Sequence, residues 1–168
     1  AGAAMAAGLA VIALGVRNTL AEMDGFQKQS QKIGIPVEQL SALKHAADLS
    51  DVSMEALGKG VGKLSKAMVE AAAKPASEAA NAFRALGVSV TDSNGALRPA
   101  SDMLESIAGK FEGMKDGAGK TAAAMAIFGK SGADLIPLLN SGQAGLAGMI
   151  AEARQLGIVI DTQTAQSA

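Results

Sequence analysis

The residues best suited to chemistry form one short run. Ala124-Met125-Ala126-Ile127-Phe128-Gly129-Lys130-Ser131 fits a loosened phosphate-binding loop, with alanine in place of the first glycine. A working loop of that kind turns successive backbone N–H groups toward phosphates and follows a buried strand. Here the four residues between Ala124 and Gly129 are apolar and helix-compatible, and no strand signal precedes them. Gly119-Lys120-Thr121 is a second match, but its first glycine falls on Met114. The simpler expectation is a helix that ends at Phe128-Gly129, with Ser131 capping the next.

Other candidates fail on their ligand sets. Asp92, Asn94 and Gly95 suggest part of a calcium loop, yet the first and twelfth positions would be Val90 and Ser101, which cannot supply the carboxylates needed. His45 is the one histidine and cysteine is absent, so a usual zinc site cannot be built. No serine sits in a nucleophile elbow that would use His45 as its base. His45 therefore reads as a solvated helix residue. Glu70, Glu105 and Glu112 read as exposed helix faces. The sequence offers no catalytic, cofactor-binding or metal-binding residue, and a non-enzymatic protein is expected.

The elements around these residues follow from composition. The 168 residues are enough for about one domain. They include 36 alanines and 20 glycines, a third of the chain, with four phenylalanines and no Trp or Tyr. A core must then be built from Leu, Ile, Val, Met and close backbone approach. Fifteen basic against sixteen acidic residues give a net charge of −1. That balance argues against a dedicated nucleic-acid binder, and no sequence-specific nucleic-acid binding is expected.

The first sixteen residues carry no charge, yet they fall short of the roughly 20 needed to span a bilayer. Met5, Leu9, Ile12, Val16, Thr19, Met23, Phe26 and Ile33 follow alternating steps of four and three, with Ser30 in the one polar gap. This is a heptad seam, the pattern of a coiled coil. It predicts a long Ala-rich helix over 1–32, with Met5, Leu9, Ile12, Val16, Met23 and Phe26 as self-association candidates. Packing on the chain's own domain and contact with a membrane are the other readings of the same face.

From residue 33 to 160 the sequence predicts short helices, and 161–168 begins a following segment. Ile33-Gly34-Ile35, Leu86-Gly87-Val88 and Leu156-Gly157-Ile158 repeat one helix stop. Pro36 suits a first turn, Ser53 an N-cap, and Ser101 or Asp102 another. Gly58, Gly60 and Gly62 mark a weak point, a kink or a close helix contact. Val88-Ser89-Val90, the turn Asp92-Ser93-Asn94-Gly95 and Ala96-Leu97-Arg98 predict a small β-hairpin near 88–98, with positive φ supplied by Asn94-Gly95. Met125, Phe128, Leu135, Leu138 and Leu139 form the densest apolar cluster, with Phe128 as its packing anchor. The fold class expected is all-α, with that one hairpin.

Several runs carry a resemblance. They are Lys32-Ile33-Gly34-Ile35-Pro36-Val37-Glu38-Gln39-Leu40, Ala82-Phe83-Arg84-Ala85-Leu86-Gly87-Val88-Ser89-Val90, and Phe128-Gly129-Lys130-Ser131-Gly132-Ala133 through Leu138-Leu139-Asn140. In this order they resemble a stretch of a tailed-bacteriophage or prophage tail tape measure protein, over about residues 28–160. The start at Ala1 rather than Met fits a segment of a longer chain. The resemblance implies a structural virion protein in the tail tube lumen, present in the host cytoplasm during assembly. Such a protein templates the tube, sets tail length and takes part in genome ejection. It also implies tail tube and tail tip partners and host envelope contact at ejection, while the heptad seam points to homo-oligomers and the residues themselves to no cofactor. The alternative is a membrane-active helical protein that contacts the host envelope.

Overall fold

A computed structural model describes residues 22–160. Helix α1 covers 22–33 of these. It stops at Gly34, whose φ of 81° lets its own amide and that of Ile35 return to the Ser30 carbonyl. The stops at Gly87 and Gly157 are alike: Val88 N donates to Phe83 O, and Ile158 N to Ala153 O, each at 3.0 Å. Helix α2 (Val37–Leu49) follows Pro36. Its end repeats the geometry without glycine. Asp51 takes φ 56°, and Val52 N donates to Ala47 O at 2.8 Å. Short polar residues such as Asp tolerate that region best after glycine.

Helix α3 (Met54–Ala73) is capped by Ser53, whose Oγ accepts from Ala56 N at 3.2 Å. Its three glycines do not break it. Gly60 is buried against Leu135, where a β-carbon would collide with the leucine side chain, and Gly58 lies in the same way against Gln29 and Ile33 of α1. Of the readings open for them, close helix contact is the one realised. Helix α4 (Glu78–Leu86) is capped by Ser77, which accepts from Ala80 N at 3.1 Å.

The hairpin expected near 88–98 is not formed, and there is no strand among the described residues. One antiparallel bridge joins Thr91 to Leu97, flanked by Asp92 N to Ala96 O and Arg98 N to Val90 O. Asp92 Oδ1 accepts from the amides of Asn94 and Ala96. Gly95 alone has positive φ (80°), so the two-residue turn expected of Asn94-Gly95 is replaced by a three-residue one. An isolated hairpin is marginal without a further strand. Here the arms are held instead by Arg98, whose guanidinium donates to Ser89 O and to Ser106 Oγ of α5.

Helix α5 (Ala100–Glu112) starts behind Pro99, so neither Ser101 nor Asp102 is its cap. Helix α6 (Ala118–Phe128) runs into a 3-10 segment (Gly129–Leu135), then α7 (Ile136–Leu139) and α8 (Gly142–Gln155). Ser131 lies inside the 3-10 segment and caps nothing. Helix α3 packs against α2, α4, α5, α6 and the 3-10 segment, while α8 closes over α2 and α5. One continuous core results, with Phe83, Phe111 and Phe128 inside it. Leu40, Leu43, Leu57, Leu64, Leu104 and Ile107 are fully buried. The all-α expectation holds.

Candidate functional site

Helix α6 delivers the phosphate-loop match to the place where least chemistry is available. Ala124, Ile127 and Phe128 are buried, and the chain leaves the helix into a 3-10 turn rather than leaving a strand. Gly132 is pressed so closely on the Ala124 carbonyl that no β-carbon would fit. The space a phosphate would need is filled by backbone. Lys130 projects outward from this turn and is exposed.

Lys120, in the second match, is buried in spite of its charge. Its ammonium donates to Met114 O at 3.2 Å and to Asp116 at 2.9 Å. It locks the loop between α5 and α6, and a buried lysine needs such partners.

Phe128 sits where an anchor was expected, 1% exposed, with Leu135, Leu138 and Leu139 at 0%. Met125 does not join them. It lies on the outer side of α6, 44% exposed. The stretch 118–139 is long and apolar enough to cross a membrane by composition. Its largest side chains nevertheless form the core, and Gly129 interrupts the helix.

Of the self-association candidates, Met5, Leu9, Ile12 and Val16 lie outside the described residues. Met23 and Phe26 are half-buried on α1. Phe26 packs against the core, and the next seam positions, Ser30 and Ile33, are buried too. Ser30 Oγ donates to Ile35 O at 2.6 Å, which satisfies the one polar group in the seam.

His45 is not a solvated residue. Its side chain is 15% exposed, and Nε2 lies 3.4 Å from Glu152 Oε2 of α8. It stands at the edge of a groove of about 570 Å³ between α1, α2 and residues 157–160. Glu105 is half-buried on α5. Burial holds its carboxyl above the usual carboxylate range, helped by Asp102 and opposed by Arg154 and Arg98. Among the described residues no three His, Cys, Asp or Glu side chains gather as metal ligands would.

The feature that sequence reasoning missed is a trough of about 710 Å³ between α1 and α3. Lys28 and Lys32 line it from α1, and Lys59, Lys63 and Lys66 from α3. Steps of four, four and three place each set on one helix face. That spacing is visible in the sequence, but the approach of the two faces is a tertiary contact.

The family model described as phage-related minor tail protein matches residues 30–129. The match runs from the last turn of α1 to the start of the 3-10 segment, and so takes in α2 to α6. No curated protein and no solved structure matches the chain.

Proposed function

The chain belongs to the phage-related minor tail protein family, a structural and virion-associated component of the phage tail, and from that premise we propose that it is a tape measure segment. In this reading it lies in the tail tube lumen, templates tube assembly, helps to set tail length and leaves ahead of the genome. Its role is non-catalytic. Its partners are tube and tip proteins, and further copies meeting along the seam of the N-terminal helix.

The observation that carries the reading is the place of the family match. It falls on a folded helical unit, and the residues that imitate a nucleotide loop are spent on the packing of that unit. A helix advances 1.5 Å per residue, so 168 residues in one helix would measure about 250 Å. Helices α1 to α8 fold back on one another, so this unit adds far less length than that. We assign it as a folded station of the tape measure rather than its ruler.

The test is genetic and is read by electron microscopy. Removing the gene from the encoding phage or prophage should give tubes of ungoverned length. Duplicating residues 22–160 in frame should lengthen tails by much less than the roughly 210 Å that the same residues would span as one helix. Normal tails in the absence of the gene would overturn the reading. A membrane role draws on the apolar stretch 118–139. It requires the core to open, so vesicle leakage caused by the folded chain would favour it.

A further inference from the structure

We propose that the trough between α1 and α3 binds the phosphate backbone of nucleic acid, without regard to base sequence. The net charge of −1 conceals how the charge is distributed. Five lysines line the trough against one carboxylate, Glu55. Glu55 is engaged by Lys59, and Lys28 is engaged by Asp24 on its own helix. Lys32, Lys63 and Lys66 make no ion pair among the described residues and are exposed. Three unpaired ammonium groups thus converge from two helices on one concave surface. Field lines concentrate in such a cleft, which favours an anion over scattered surface lysines.

The lining chemistry selects the anion. Among the described residues no Arg and no aromatic side chain lines the trough, so these residues offer neither bidentate base recognition nor base stacking. Lysine is a point charge suited to phosphate oxygens. Gly25 and Gly62 contribute no side chain to the floor, which leaves room for a chain to lie along it. Lys59, Lys63 and Lys66 extend over about 10 Å of helix, so an extended polyanion can meet them in succession.

Several carboxylates that a second copy could offer are already engaged. Asp48, Asp116 and Glu152 are already engaged by Lys44, Lys120 and His45, and Glu105 lies beside Arg154 and Arg98. The inference rests on charge and shape, and does not depend on the tape measure reading.

The experiment is fluorescence anisotropy of labelled mixed-sequence DNA, double- and single-stranded, titrated with the full chain over a range of salt. With three lysines on duplex phosphates, a tenfold rise in salt should weaken binding about 500-fold, a log–log slope of about −2.7. A single strand should give the shallower slope of about −2.1, and the form bound more tightly at equal salt is the better ligand. The variant Lys32→Gln/Lys63→Gln/Lys66→Gln should lose binding while keeping its helical circular dichroism and melting temperature. Removing the same charge elsewhere, as Lys44→Gln/Lys110→Gln/Lys115→Gln, should leave affinity within about twofold of the unaltered chain, since screened surface charges act weakly at a distance. Three results would overturn the proposal: no DNA binding at low salt, equal loss in both variants, or tighter binding to polyglutamate or anionic phospholipid vesicles than to DNA.

Discussion

Phe128 and Lys130 stand two residues apart and test opposite views of the same run. Phe128 is inside the core, and Lys130 is in solvent. Deleting a buried phenylalanine side chain removes roughly 3–5 kcal/mol, a large part of a typical domain stability of about 5–15 kcal/mol. Phe128→Ala should sharply lower the thermal midpoint, while Lys130→Ala should leave the melt unchanged. A nucleotide loop requires the reverse ranking in function. Glu105 provides a pH test. Its pKa is raised in the folded chain, so the folded state holds its proton more tightly than the unfolded one. Stability linked to this group is full below the ordinary carboxylate range and declines as pH rises through the raised value. Glu105→Gln should therefore raise the melting temperature at neutral pH, and the gain should vanish under acid. A gain that is constant with pH would assign the effect to packing.

At the scale of elements, the helix starts separate local from tertiary control. Ser53 and Ser77 each accept an amide hydrogen bond at the first turn of their helices. Losing such a cap typically costs about 1 kcal/mol. Ser53→Ala and Ser77→Ala should each destabilise by that order in urea titrations. Ser101→Ala should be near neutral, because Pro99 starts α5 and Ser101 Oγ reaches only the Asp102 carboxylate. Equal losses at all three serines would contradict the observed start of α5. Glycine is used here in two ways that composition alone does not distinguish. Gly34, Gly87 and Gly157 stop helices through positive φ, whereas Gly60 sits inside a helix and admits Leu135.

For the whole molecule, the open question is where α1 spends its apolar face. Over the described residues the seam turns into the chain's own core through Phe26, Ser30 and Ile33. Upstream, Ile12 and Val16 carry the same heptad phase. Changing both to Gln should lower the sedimentation coefficient if copies meet there, with the core and its melting temperature preserved. Unchanged sedimentation would confine the seam to contacts within one chain. A packed unit of short helices suits a tail component that must be held in line by its neighbours. The compact part supplies little length and much surface.

What the sequence determined by itself is what short-range physics controls. One residue's φ preference sets a helix stop, so the repeated Gly-β-branched pattern located the ends of α1, α4 and α8. Side-chain size and local density marked Phe128, Leu135, Leu138 and Leu139 as interior, and all four are buried. The helical, packed character of the phosphate-loop match was also legible, because the run is apolar. Asp51 was a missed local signal: it ends α2 as glycine ends the others, and Val52 after it completes the pattern. Tertiary structure decided the rest. The 88–98 segment carries hairpin residues but no third strand to pair with, and Arg98 binds it to α5 instead. Met125 shares the composition of its buried neighbours but faces outward. Lys120 is buried because the preceding loop brings it a carboxylate and a carbonyl. The lysine trough exists only because glycines on α3 let α1 lie close beside it. Each of these outcomes depends on which faces meet, and that is settled by packing across the chain rather than by any window of sequence.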